Sequence, residues 1–180
     1  MLFRSGLVGH IGMADPICPQ LAAILETAAR QSGATVHRGG TYICIEGPQF
    51  STRAESRVYR SWGVDVIGMT NMPEVKLARE AELCYVTLAL ATDYDVWHDS
   101  HAAVSVEAVV KNLMQNVATA KDVLARAIPE IRPPRDCECP HLLANALITD
   151  PKSVPLTARR RLELLVGKYL PAERKARRRA

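Results

Sequence analysis

Apolar residues at Leu21, Ile24, Leu25 and Ala28 recur at helical spacing and predict a helix over residues 20–31. Asp15-Pro16 and Cys18-Pro19 open it, since proline suits a first turn, and Gly33 stops it. Ahead of it, residues 7–12 read as a strand. Residues 41–46 alternate with β-branched positions and predict another, broken by Gly47-Pro48. A short helix over 53–62, a strand over 64–69, a turn at 71–73 and a helix over 75–81 follow. Residues 84–92 are a continuous apolar run, as expected of a strand covered on both faces. Residues 105–127 predict a long amphipathic helix, with Ser105 as N-cap and Val109, Leu113, Val117, Val123 and Leu124 on one face. Pro129, Pro133 and Pro134 end it, and helices near 140–147 and 157–169 close the chain.

Strands alternating with helices predict a three-layer α/β fold, in which ligands bind at the carboxyl ends of the strands. Three such ends carry polar, irregular sequence: Glu46-Gly47-Pro48-Gln49-Phe50-Ser51, Met69-Thr70-Asn71 and Thr92-Asp93-Tyr94-Asp95. Chemistry is expected there. Two acids two residues apart, on an extended segment, can face the same way and take a metal, act as acid and base, or accept hydrogen bonds. An Asp turn capping the next element accounts for them equally well. Gly47 permits close approach of a ligand and Phe50 offers it a flat face, although a buried Phe in a plain turn fits the same string. Met69 supplies an adaptable apolar wall, and the Thr70 hydroxyl can donate to a phosphate.

Composition narrows the partners. The chain has 180 residues, 48% hydrophobic and 23% charged, enough for one domain with a core. At 5% aromatic content it is no stacking platform for single-stranded nucleic acid. No apolar run is long enough to span a membrane, and the first residues have no leader pattern, so the cytoplasm is expected. The net charge of +4 is concentrated at Arg159-Arg160-Arg161 and in the tail at 171–180, and the remainder is mildly acidic. That tail reads as a solvated, disordered end rather than a nucleic-acid arm. His10, His37, His98, His101 and His141 show no tight metal-ligand spacing beyond His98 and His101. Cys137-Glu138-Cys139 is too short for a zinc site without two more ligands, and two free thiols are the expected state.

The strings Ile45-Glu46-Gly47-Pro48-Gln49-Phe50-Ser51-Thr52-Arg53-Ala54-Glu55-Ser56, Val66-Ile67-Gly68-Met69-Thr70-Asn71-Met72-Pro73-Glu74 and Ala91-Thr92-Asp93-Tyr94-Asp95-Val96-Trp97 together resemble the trimeric purine nucleoside phosphorylase family. His10-Ile11-Gly12-Met13-Ala14-Asp15-Pro16 is similar to its methylthioadenosine phosphorylase branch, and the segment from Cys137 to Pro151 to the prokaryotic and archaeal members of that branch. The resemblance runs to about Leu170. It implies a three-layer nucleoside phosphorylase fold with a mixed central sheet, and phosphorolysis of methylthioadenosine to adenine and methylthioribose 1-phosphate. It implies no organic cofactor and no metal, with phosphate as co-substrate, and a homotrimer or hexamer for the complete enzyme.

Carried over by residue, the resemblance places Phe50 and Ser51 at the base and sugar, Met69 at the ribose and Thr70 at phosphate. Asp93 and Asp95 become the catalytic, base-reading pair, one serving N7 and the other the 6-amino group; the sequence does not divide the roles, and Asp93 is favoured for N7. His10 reaches a neighbouring subunit's nucleoside. A carboxylate accepts from a 6-amino group and repels a 6-oxo group, so two Asp residues favour adenine over the 6-oxopurine alternative. The family's Gly-rich phosphate loop and Arg-His-Gly segment have no counterpart here. The expectation is therefore a partial phosphorylase domain over 1–170, lacking its N-terminal part. Such a chain would turn over poorly alone or act as a non-catalytic nucleoside-binding fragment.

Overall fold

The computed structural model describes residues 6–98 and 106–171. Helix α1 spans Pro19–Gln31, with the Cys18 thiol as its N-cap, accepting from the Leu21 N–H at 3.5 Å. It packs against α4, Val106–Ala127, through a core of Ala28, Ala29, Val123 and Ala127. Small residues on both helices allow this close approach, and Ile24, Leu25, Val36 and Leu88 seal its rim. Strands β1, Tyr42–Cys44, and β2, Val66–Gly68, form a parallel pair in the register Tyr42↔Val66, Ile43↔Ile67, Cys44↔Gly68. Between them lies α2, Arg53–Ser61, opened by a capping box. The Glu55 N–H donates to Thr52 Oγ1 at 3.2 Å, and the Thr52 N–H donates to Glu55 Oε2 at 2.7 Å. Helix α3, Asn71–Glu80, follows β2 and is kinked at Met72, whose φ/ψ of −109°/132° are not helical. Among the described residues no helix is long and apolar enough to cross a membrane.

A second core lies in the C-terminal half, where Leu7, Leu143, Ala146, Val154, Ala158 and Val166 bury one another. Helix α5, Leu156–Val166, supplies much of it and runs into a 3-10 turn at Gly167–Tyr169. One charge anchors this core to the rest. Glu82, with only 6% of its surface exposed, accepts from the Leu143 N–H at 2.9 Å and from Tyr169 Oη at 2.5 Å, and pairs with Lys168 Nζ at 2.5 Å. Burial pushes its carboxyl up, but these donors prevail and hold it below the usual carboxylate value.

Three expected elements take other forms. Residues 7–12 make a single antiparallel bridge, Gly9↔Leu147, extended by the His10 N–H to Ala146 O bond at 2.8 Å, rather than a strand within a sheet. The run 84–92 is extended but joins no ladder among the described residues, and it is half-buried to exposed rather than covered on both faces. A strand is defined by a paired neighbour, and this segment's contacts are to helices instead. The helix expected at 140–147 is a 3-10 turn at Cys139–His141 followed by further i→i−3 bonds. The Leu143 N–H, which an α-helix would need, is taken by Glu82. Ser105, His101 and residues 172–180 of the tail lie outside the described residues, as does the side chain of Val109.

Candidate functional site

The carboxyl end of β1, the carboxyl end of β2 and the end of the 84–92 segment converge on one open cleft of about 940 Å³. Phe50, Ser51, Met69, Thr70, Asp93 and Asp95 all line it. Six of the seven expected site residues are thus brought together from segments far apart in sequence. His10 is the exception: it lies on the bridge to Ala146 and does not line this cleft.

Close approach of backbones makes the convergence possible. Gly47 has φ +71°, and a Cβ there would stand 2.7 Å from Met69 Sδ, so the first loop closes over Met69 because residue 47 is glycine. Beyond it Phe50 is 84% exposed, its ring free to meet a ligand rather than buried in the turn. Ser51 Oγ beside it is buried without a hydrogen-bond partner in the protein, an unsatisfied group of the kind expected where a ligand completes the site.

The β2 end is fixed by Asn71, whose Oδ1 accepts from Tyr85 Oη at 3.0 Å and Thr87 Oγ1 at 2.7 Å. These bonds tie the start of α3 to the 84–92 segment. Burial raises the Tyr85 phenol, so it remains a donor. Thr70 occupies the N-cap position of α3 but makes no capping bond with its side chain. Its exposed hydroxyl stands at a helix N-terminus, where partial positive charge and N–H groups favour an anion.

The acidic pair is not arranged as an extended segment would place it. Asp95 has φ +58° and opens a 3-10 turn, Asp95–Trp97, so strand alternation does not apply. Asp93 closes an Asx turn, accepting from the Asp95 N–H at 2.8 Å through Oδ1 and from Thr92 Oγ1 at 2.7 Å through Oδ2. The capping role and the cleft-lining role therefore coexist in one residue. Asp95 Oδ2 accepts from Ser56 Oγ at 2.6 Å, and Ser56 is buried on α2. The same helix grips the turn twice more. Arg53 Nη1 donates to Val96 O at 2.5 Å, and the Arg60 guanidinium lies 3.5 Å from the Trp97 ring centroid. From the other side, Asn112 and Asn116 of α4 donate to Thr92 O and Ala91 O at 2.9 and 2.8 Å. The acids are held rigidly from two helices.

Sequence reasoning named the lining residues and missed these supports. Ser56 carries no signal beyond its place in the helix that follows Phe50-Ser51, and the one-turn spacing of Asn112 and Asn116 on α4 is the signal for the other pair. Arg79 had no signal at all. It is buried, and it donates to Gly12 O at 2.9 Å and Asp15 O at 3.0 Å, fixing the first loop to α3.

Residues 2–129 match the model of the Phosphorylase superfamily. The S-methyl-5'-thioadenosine phosphorylase of Geobacter sulfurreducens is 56% identical over 93% of this chain and 59% of its own length. A crystal structure of methylthioadenosine phosphorylase from an antarctic soil metagenomic library superposes with a TM-score of 0.83 at 45% identity, over 91% of this chain and 58% of that one. The methylthioadenosine phosphorylase of Schistosoma mansoni in complex with adenine gives 0.63 at 34% identity, over 69% and 49%. The chain spans about 59% of the length of the curated relatives it matches.

Proposed function

The chain belongs to the Phosphorylase superfamily and has the nucleoside phosphorylase fold, and we propose that it carries the nucleoside-recognition part of a methylthioadenosine phosphorylase. The observation that supports this most directly is the convergence of Phe50, Ser51, Met69, Thr70, Asp93 and Asp95 on one cleft. The reaction is phosphorolysis. The bond from N9 of adenine to C1′ breaks, a phosphate oxygen bonds C1′, and the departing purine takes a proton at N7.

Phe50 stacks on the nucleoside, and Met69 walls the ribose. Asp95, braced by Ser56, accepts from the 6-amino group, a charge-assisted bond that a 6-oxopurine would not make. Asp93 delivers the N7 proton. The Thr92 hydroxyl and the Asp95 N–H hold its carboxyl group in place for that transfer. Thr70 contacts phosphate from the start of α3. The complete enzyme is a cytoplasmic homotrimer or hexamer, in which His10 approaches a neighbouring subunit's nucleoside. The exposed apolar side chains of Leu113, Met114 and Val117 on α4 support such an assembly.

The test is to titrate the purified chain with methylthioadenosine and with inosine while following its melting temperature, and to assay adenine release with phosphate present. The expected result is a rise in Tm with methylthioadenosine alone and slow release of adenine. Equal or stronger stabilisation by inosine would move the reading to a 6-oxopurine phosphorylase. No response to either nucleoside would sink it.

A further inference from the structure

Away from the cleft, four of the five cysteines meet. Cys18, Cys84, Cys137 and Cys139 come from three separate segments, and their Sγ atoms all lie within 4.8 Å of one another. Cys18 and Cys139 are buried, and Cys84 and Cys137 are half-buried. Each segment is held by backbone contacts that do not involve the sulfurs. The Cys18 N–H donates to Tyr85 O at 2.8 Å, which sets α1 against the segment carrying Cys84. The His141 N–H donates to Glu138 O at 2.9 Å, which folds the Cys137-Glu138-Cys139 turn over both.

Four sulfurs this close, none of them bonded to another, need a reason to face each other. As thiols they are weak donors with only sulfur as acceptor, and as thiolates they repel. A disulfide would require about 2.05 Å between sulfurs, whereas Cys84 and Cys137 stand 3.5 Å apart. A tetrahedron of thiolates bonded to one zinc ion at about 2.3 Å has edges of about 3.8 Å, a spacing within the cluster's 4.8 Å limit. The cluster is too tight for its sulfurs to enclose a multi-iron core, and an all-sulfur tetrahedral donor set selects a soft, tetrahedral ion.

We propose that Cys18, Cys84, Cys137 and Cys139 form a structural zinc site. Binding exchanges four thiol protons for one divalent cation and leaves a net charge of two minus on the complex. Groups to offset that charge are in place. Arg135 Nη1 lies 3.9 Å from Cys84 Sγ while also donating to Glu82 O at 3.1 Å, and the N-terminus of α1 directs the Leu21 N–H at Cys18 Sγ. Burial pushes the Cys84 and Cys139 thiols up. At Cys137 burial is outweighed by the Cys139 backbone N–H and the neighbouring thiols, which bring the thiol below its usual range. All four ligands are protein side chains, so the site is closed, with no position for substrate. Its role is to staple α1, the turn after α3 and the 137–141 turn together. The Cys-x-Cys pair has, in Cys18 and Cys84, the two further sulfurs that its sequence neighbourhood lacks.

The experiment uses the whole chain, purified under reducing conditions and desalted, with zinc measured by plasma mass spectrometry. About one equivalent per chain is expected, released by a mercurial or by denaturation with chelator. The double variant Cys137→Ser/Cys139→Ser should lose it, whereas Cys44→Ser should retain it. Because the double variant can misfold, the unaltered chain is also stripped and titrated with cobalt(II). Intense thiolate-to-cobalt absorption that saturates near one equivalent and is reversed by zinc is the expected result. Substoichiometric zinc with no such absorption in the reduced chain would overturn the proposal, as would peptide mapping that finds these four cysteines paired as disulfides in the chain isolated without reductant. Neither result bears on nucleoside binding, which is read separately by the nucleoside titration.

Discussion

The C-terminal core and the cleft are built on opposite terms. Around Leu143 and Val166, fully buried side chains close on one another, and even the charge at Glu82 is enclosed by its donors. Around the cleft, large apolar residues face outward, Phe50 at 84% and Tyr94 at 60% exposure, and order comes from polar bonds at the ends of segments. The first region sustains the fold by burying area. The second holds a shape open by restraining short turns from α2, α3 and α4. Substitutions in the two should therefore separate stability from binding.

The largest effect is expected from Leu143→Ala, which empties a fully buried position. A loss of about 2–5 kcal/mol in unfolding free energy is expected from the vanished contacts and the cavity, measured by denaturant titration. A loss below 1 kcal/mol would mean that this core does not carry the fold.

Next comes the ion at Glu82. Its carboxyl is held below the ordinary 4.5 in the folded chain, so the unfolded chain binds more protons as the solution is acidified. The stability it contributes is complete above about pH 4.5 and is lost as pH falls through the lower folded value. Lys168→Met should move this acid transition toward higher pH and lower the stability at neutral pH, because it leaves the buried carboxylate with fewer donors. An unchanged acid midpoint would place the stabilisation elsewhere.

In the cleft, Asp95→Asn should weaken methylthioadenosine binding by about 1.5–3 kcal/mol, the worth of a charge-assisted hydrogen bond, with a much smaller change in Tm. Asp93→Asn should instead depress adenine release in the complete enzyme more than it depresses binding. Calorimetry paired with a release assay distinguishes the two, and identical profiles would dissolve the division of labour. The smallest effect is expected at Phe50→Ala: about 1 kcal/mol of nucleoside affinity, and no loss of stability because the ring is already exposed. A fall in Tm would show that Phe50 belongs to the fold rather than to the ligand.

Local signals in the sequence were read well. Cys18-Pro19 and the periodicity of 20–31 and 105–127 lead to helices close to those found. The meeting of the β1 and β2 ends was legible too, since a parallel pair joined by a helical crossover puts its carboxyl ends on one side. What was not legible depended on partners distant in the chain. The run 84–92 has strand composition, but pairing is a property of neighbours, and no ladder joins it among the described residues. The helix expected at 140–147 is lost to one acceptor, Glu82, about sixty residues earlier. Cys18 and Cys84 could not be joined to Cys137 and Cys139 on spacing, because three separate turns bring them together.

Helix α3 touches both regions. Thr70 precedes it at the cleft, while Arg79 near its far end is bonded to Gly12 and Asp15, and Glu82 just beyond it is set in the C-terminal core. The eight residues Pro73–Glu80 beyond the Met72 kink make a rod about 12 Å long, clamped at one end and loaded at the other. Thr70, which lines the cleft, is thus borne on a cantilever. Its stiffness is decided far from the ligand, and loosening the clamp at Glu82 would blunt the cleft without altering any residue that lines it.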